Sequence, residues 1–336
     1  IGFCMGVCNG FAIPVAQRFG AKDEHGMRKF VANSVWLSII FAVVMAVLVC
    51  VFCRQILELM NTPEDIIDGS YSYIFVIFLG IPATYMYNLL SGIMRSLGDS
   101  KTPLYLLIFS SILNIILDLL SIIVLKMGVA GAAWATVIAQ AVSGFCCLGV
   151  IWKKFPILHV QREEWQPDKL CILNLCNMGI PMGLQYSITA IGSVIIQAAV
   201  NSLGSVAVAS VAAAVKINMF LCCPYDAMGS TMATYGGQNY GAGKPERVWQ
   251  GVKASSLMMT IYWVFTFCVL MTCAQPLARL FVDGSETEIL EDTALFLHVS
   301  VSFFPVLGLL CILRYTIQGV GFTNLAMLSG VSEMIA

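Results

Sequence analysis

Apolar residues in this chain come in long unbroken runs separated by short charged clusters. Residues 30–52, 104–125 and 254–274 each hold more than 20 consecutive positions without a charge, apart from Asp118. At ~1.5 Å of rise per residue, a helix of that length crosses a hydrocarbon core of ~30 Å. Taken along the whole chain, the runs predict a partial helix over 1–17 and spans near 30–53, 70–94, 103–125, 129–152, 170–200, 205–235, 254–274 and 293–317, with another beginning at 324. The expected fold class is an all-α, polytopic transmembrane helix bundle.

The pattern also repeats. The run Ala12-Ile-Pro-Val-Ala-Gln17-Arg-Phe-Gly20-Ala21-Lys22 returns as Ala233-Thr-Tyr-Gly-Gly-Gln238-Asn-Tyr-Gly241-Ala242-Gly-Lys244, 221 residues later. Leu59 falls on Leu280 at the same offset, and after a two-residue slip Pro82 matches Pro305 and Gly98 matches Gly321. Six predicted crossings separate Gln17 from Gln238. An even number returns the chain to the same side, so the copies are parallel repeats about an axis along the membrane normal. Two pseudo-twofold-related lobes are expected, 1–155 and 156–336, joined by the one long polar run, Lys153 to Lys169. A duplicated hydrophobic unit of this size points to a two-lobed transporter with its path between the halves. The same shift implies that about 50 residues precede Ile1 and about 39 follow Ala336, a chain truncated at both ends.

Composition sharpens this. The chain is 59% hydrophobic and 11% charged, with a mean hydropathy of +0.85, so the bilayer must act as its solvent. A net charge of -1 with no basic stripe argues against nucleic acid. The thirteen cysteines sit mostly in apolar runs and read as small core residues; Cys50 and Cys53 form a CxxC with no second ligand pair, so no metal site is expected. Fourteen of the eighteen basic residues fall on one side, in loops near 18–29, 95–101, 153–169 and 238–253 and at Arg314. That bias assigns those loops to the cytoplasm; the membrane expected is the plasma (inner) membrane. The opposite loops, Asn61 to Asp65 and Asp283 to Glu288, are acidic.

Charge inside a span costs roughly 2.5–3.5 kcal/mol on insertion scales and is read as functional by default. Asp118 lies deep in the 103–125 span, on a stripe with Ser111, Asn114 and Ser121 at helical spacing, and the span before it carries Thr84, Asn88, Ser91 and Arg95. Asp118 reads as a proton or sodium site or an attractor of cationic substrate. The alternative is a packing hydrogen bond from protonated Asp118 to Asn114 or a nearby hydroxyl. Lys216 and Asp226 lie about 16 Å and about 14 Å from the respective ends of the 205–235 span, pointing about 80° apart, so a direct bridge is not expected. Lys216 is expected to pair with a carboxylate or carbonyl of another helix, in a coupling or a structural role. Gln185, Thr189 and Ser193 form a polar row at four-residue steps. His298 and Arg314 are expected to be solvated at the interfaces. Pro82, Pro181, Pro224 and Pro305 fall within spans and are hinge candidates, the first and last at equivalent positions. No HExxH or GxSxG occurs, so an enzyme is not expected.

Four segments together resemble the multidrug and toxic compound extrusion (MATE) family: Pro14-Val-Ala-Gln17-Arg-Phe-Gly20-Ala21-Lys22-Asp23, Arg95-Ser-Leu-Gly98-Asp99-Ser-Lys-Thr-Pro103, Gly128-Val-Ala-Gly131-Ala-Ala-Trp-Ala-Thr136 and Gly237-Gln238-Asn239-Tyr240-Gly241-Ala242-Gly243-Lys244. The resemblance covers essentially the whole chain. It implies two six-helix bundles, alternating access, and antiport of organic cations and other drugs against sodium or proton entry, with no cofactor beyond the coupling ion. Many relatives couple through a carboxylate on the first helix, which is missing here. Some carry an acidic residue on the seventh, where this chain has Gln185 and Thr189. The partners expected are membrane lipids and small drug-like molecules, acting on a monomer. A flippase for lipid-linked precursors, of the same superfamily, is the alternative; it would line its cavity with several cations to hold phosphates.

Overall fold

The computed structural model describes residues 2–59 and 66–335; the acidic loop at 61–65 lies outside them. The described chain is helical, without strands. Its elements are α1 (Gly2–Gly20), α2 (Glu24–Val51), α3 (Cys53–Leu59), α4 (Ile67–Leu79), α5 (Ile81–Ser96), α6 (Lys101–Leu119) running into a π-helical turn at Leu120–Val124, and α7 (Gly128–Lys154). Two 3-10 turns, Pro156–Leu158 and Arg162–Trp165, lead to α8 (Lys169–Asn201), α9 (Ser205–Gly241), α10 (Pro245–Ala278), α11 (Thr287–Val320) and α12 (Thr323–Ile335). Among the described residues seven helices are long and apolar enough to cross a membrane, or eight if the bent pair α4 and α5 counts as one span. The helices outrun their apolar cores. α9, α10 and α11 are 37, 34 and 34 residues long, because their polar ends keep the helical hydrogen-bond ladder as they leave the hydrocarbon.

Packing divides the chain into two compact units, 1–184 and 185–336. The packing boundary falls inside α8, not at the 156–168 linker, because the first half of α8 packs on α1. Gly6 and Gly10 of α1 face Gly179 and Gly183 of α8; a Cβ on Gly6 would strike the Met182 carbonyl, and one on Gly10 would strike the Gly179 Cα. Two small-xxx-small motifs thus interlock, backbone against backbone, as close helix pairs in lipid require. Around them, Val7, Cys8 and Phe11 pack with Met27, Tyr85, Ile93, Met94 and Leu175. Unit 2 is built on α9, α10 and α11, whose core holds Ile217, Tyr225, Leu270, Leu297, Phe304 and Ile312. There Gly319 meets the Ala233 backbone, and Gly308 the Tyr225 ring. Outward faces are apolar: Ile108, Ile112, Ile115 and Ile116 of α6 and Leu257, Ile261 and Phe265 of α10 are exposed, as a lipid-facing surface demands.

The sequence repeat is visible in the backbone of each unit. The turn after α1 takes Lys22 to φ 58°, and the turn after α9 takes Gly243, 221 positions on, to φ 69°. The turn after α5 uses Gly98 at φ 91°, and that after α11 uses Gly321 at φ 115°. Left-handed residues of this kind end helices, so each pair of motifs folds into the same turn.

The linker is strapped to unit 1. Glu164, 1% exposed, accepts from Arg28 Nε at 2.9 Å, from the Gln161 amide at 2.8 Å, and lies 2.9 Å from His25 Nδ1. Asn33 Oδ1 accepts from the Asp168 amide at 2.9 Å, and Trp36 Nε1 donates to the Trp165 carbonyl at 3.1 Å.

Candidate functional site

Each unit carries its own intramembrane polar cluster. In unit 1 it is the seam between the antiparallel helices α6 and α7. Ser110 donates to the Ala139 carbonyl at 3.2 Å, Asn114 Nδ2 to Thr136 Oγ1 at 3.4 Å, and Ser121 lies where a Cβ on Gly131 would meet it. Asp118 sits on this stripe between Asn114 and Ser121. Its Oδ1 is buried and has no hydrogen-bond partner, and on the facing helix Gln140 Oε1 and Ser143 Oγ are in the same condition. Immediately after Asp118 the helix widens into the π-helical turn at Leu120–Val124, a distortion that recurs at functional sites. Ser111 departs from the expected stripe: it is exposed and donates to the Leu107 carbonyl. The seam uses Ser110 in its place, because α6 turns that residue toward α7. The packing hydrogen bond from Asp118 to Asn114, the alternative reading, is not seen; Asn114 Nδ2 donates to Thr136.

Asn88 stands apart from this seam. It donates to the Thr84 carbonyl at 2.8 Å, within its own helix. The 70–94 span that carries it is broken: α4 and α5 meet at 44°, with Pro82 in the first turn of α5 and Gly80 at the junction. Pro181, Pro224 and Pro305 lie inside α8, α9 and α11, which run through them as single helices.

In unit 2 the cluster joins α8, α11 and α12. Gln318, 1% exposed, donates through Nε2 to Oε1 of Gln185, itself 6% exposed. Tyr186 and Tyr315 share a hydrogen bond at 3.2 Å between their hydroxyls. The Tyr315 ring packs at Gly229 of α9, where a Cβ would displace it. Arg314 donates to Ser329 at 3.0 Å and pairs with Glu333. Its side chain is 9% exposed, which corrects the expectation that it is solvated at an interface: α11 continues to Val320, leaving Arg314 inside the helix. His298 is corrected likewise, lying three turns into α11 with Nε2 3.1 Å from the Leu270 carbonyl. Thr189 donates to the Gln185 carbonyl and Ser193 to that of Thr189, so the polar row is turned onto its own backbone.

The two α9 charges stay out of this cluster's hydrogen bonds. Lys216 is exposed, and its Nζ lies 5.9 Å from the centre of the Phe281 ring. Phe281 follows the end of α10, so the ammonium is held toward the outer end of the bundle. Contrary to expectation, it pairs with no carboxylate or carbonyl among the described residues. Asp226 is exposed, without a hydrogen bond or ion pair among the described residues, and does not bridge to Lys216.

Each unit thus holds a cluster of side-chain oxygens within its helices. A family model described as MatE matches residues 1–120 and 181–335. The chain belongs to the MatE family. The probable multidrug resistance protein YoeA of Bacillus subtilis is 28% identical over 297 residues, covering 85% of this chain and 64% of that protein. YpnP of the same organism, also described as a probable multidrug resistance protein, is 27% identical over 323 residues, covering 96% and 71%. A solved structure described as the outward-facing conformation of a multidrug resistance MATE family transporter superposes with a TM-score of 0.93 at 21% identity, covering all of this chain and 75% of that one. MatE proteins are transporters rather than enzymes, and this chain is a multi-pass membrane protein of that fold.

Sequence reasoning missed several members of the clusters. Thr136, Gln140 and Ser143 recur at four- and three-residue steps on α7, a readable stripe. Tyr186, Tyr315 and Gln318 carry no charge, and only the neighbouring polar spacing of Arg314, Tyr315 and Gln318 hinted at them.

Proposed function

We propose that the protein of which this chain is a part exports small drug-like organic cations across the plasma membrane by antiport against sodium or proton entry, working as a monomer. The observation that carries this reading is Asp118. A carboxylate oxygen buried in a spanning helix without a partner is costly, and a coupling proton or cation satisfies it. Asn114, about one helical turn away and already oriented by Thr136, is the neighbouring ligand. In unit 2, Gln185 with Thr189 and Asp226 are the secondary candidates. MatE membership and the multidrug descriptions of YoeA and YpnP support the substrate class.

The flippase reading is weaker on this geometry. Phosphate capture needs uncommitted cations inside the bundle, whereas Arg314 is neutralised by Glu333 and Lys216 lies against Phe281. A relative described as an FAD transporter, from Shewanella oneidensis, is 23% identical over 320 residues, so an anionic cargo belongs in the test.

The test is ethidium efflux from cells expressing the full-length gene, with sodium and pH gradients imposed separately, for wild type, Asp118→Asn and Lys216→Ala. Asp118→Asn should abolish gradient-driven efflux, and Lys216→Ala should leave it within about twofold. Efflux of FAD in place of ethidium by the wild type, or unimpaired efflux by Asp118→Asn, would overturn the reading.

A further inference from the structure

Unit 2 carries an apolar groove at its basic end. About 320 Å³ of space opens between the end of α9, the start of α10 and the end of α11, walled by Tyr240, Val248, Trp249, Val252, Leu313 and Ile317. The groove is rimmed by two amphipathic aromatics, Tyr240 at 47% and Trp249 at 58% exposure, the residue types that settle at a membrane–water boundary. Lys244 precedes the lining residue Pro245, Arg247 precedes Val248 and Lys253 follows Val252; all three are exposed and form no ion pair among the described residues. Lys253 folds its Nζ over the Trp249 ring, 5.8 Å from its centre, so a charge two turns into α10 is brought to the lip of the groove. Glu246 is the one carboxylate in the stretch, exposed and equally unpaired. The cation closest in sequence to the far wall, Arg314, is spent on Glu333.

The corresponding turn of unit 1 differs in charge at this position. Where unit 2 has Lys244, unit 1 has Asp23, which caps α2 through the Gly26 amide and binds Arg18 at 2.9 Å. At the repeat position of Lys244, a carboxylate held in an ion pair has thus been exchanged for a free lysine beside an apolar slot.

We propose that this groove binds an anionic phospholipid of the leaflet on the chain's basic side, one acyl chain lying between α10 and α11 and the phosphate held by Lys244 and Lys253. Charge complementarity selects the occupant. A second copy of this chain would bring its own basic rim against this one, while a zwitterionic lipid would leave the cations unpaired. Each lysine at a membrane surface contributes about fivefold in affinity, the equivalent of ~1 kcal/mol.

The full-length protein in detergent is titrated with phosphatidylglycerol or phosphatidylcholine bearing dibrominated acyl chains, which quench nearby indoles. The difference between wild type and Trp249→Phe isolates the signal from Trp249 among the six tryptophans. Phosphatidylglycerol should quench Trp249 with roughly 25-fold higher affinity than phosphatidylcholine, and the preference should fall to parity in Lys244→Gln/Lys253→Gln. High salt should erase it in the unaltered protein, since exposed charges are screened. Equal affinity for the two lipids, a preference that survives the double substitution, or displacement by inorganic phosphate at matched ionic strength would overturn the proposal. The readout needs no transport, so its failure is distinguishable from failure of the efflux experiment.

Discussion

Replacing Glu164 with Gln tests how the linker is held. The substitution keeps the volume and one acceptor oxygen but removes the charge and turns an NH2 group toward donors. Burial alone would raise the Glu164 pKa, yet the Gln161 amide, Arg28 and His25 together hold the carboxyl below the usual range. Hydrogen bonds to a charged group are worth about 1.5–3 kcal/mol each, and breaking a buried pair by removing one partner costs about 3–5 kcal/mol. Two features reduce that here. The His25 contact is 61% exposed and adds little, and Arg28 retains Glu24 at 3.5 Å. About 2–3 kcal/mol remains. At ~1.4 kcal/mol per tenfold, the population with the linker detached from α2 should rise about 30- to 150-fold. Trypsin cleavage at Arg162, which requires the 3-10 turn to open, should accelerate by the same factor when opening is fast relative to cleavage. Acid provides a second arm. A carboxylate whose folded pKa lies below its unfolded value, ~4.3 for Glu, stabilises fully above that value, and the contribution fades as pH falls through the folded pKa. Hydrogen exchange at the Gln161 amide, corrected for intrinsic rate, should therefore be flat above pH ~4.3 and rise below it in the wild type only. Cleavage of folded Glu164→Gln at the wild-type rate would refute the reasoning.

Two further substitutions probe local energetics. Gly10→Leu should cost at least ~3 kcal/mol in detergent thermal melts, above the usual range for overpacking, because the added carbons meet the α8 backbone at Gly179 rather than a yielding side chain. Asp99→Ala should cost about 1–2 kcal/mol by losing the bonds from the Lys101 and Thr102 amides together with the Lys154 pair. Asp99→Asn, keeping an acceptor, should cost about 1 kcal/mol or less. Burial opposes ionisation of Asp99, but Lys154 and Thr102 outweigh it and bring the pKa down to about 2, so its contribution should persist in melts at pH 5 and vanish only as the pH approaches that value.

Much of the fold was legible because hydrophobic runs and a duplicated motif are one-dimensional signals. The apolar runs coincide with the spanning helices, and the Gln17 and Gln238 motifs fold into matching turns. Side-chain direction was less legible. Ser111 and Ser110 are adjacent in sequence and part company only by a 100° rotation about α6. Lys216 lies on α9, which begins at Ser205 where the apolar run does; what the run does not show is the reach of the side chain, whose ammonium lies against Phe281, beyond the end of α10. Arg314 lies close to the end of its apolar run at 317, but α11 continues to Val320 and keeps the residue inside the helix. The α1 and α8 glycines gave a readable GxxxG in each helix, but only the three-dimensional pairing says that the two motifs meet.

The prolines show why equivalent positions in a repeat need not behave alike. Pro82 and Pro305 occupy the same place in their copies, and each removes one backbone donor from its helix. Only the first coincides with a break. Two residues before Pro82 stands Gly80, which ends α4 by donating to the Val76 carbonyl and lies so close to Val137 that a Cβ there would collide. Two residues before Pro305 stands Phe303, 66% exposed on the outer face of a continuous α11. Glycine has little helical preference to lose and fits against α7 as no larger residue does. The 44° bend therefore belongs to the Gly80 and Pro82 pair. Proline alone, with a bulky apolar residue ahead of it and lipid beside it, leaves the α11 helix intact.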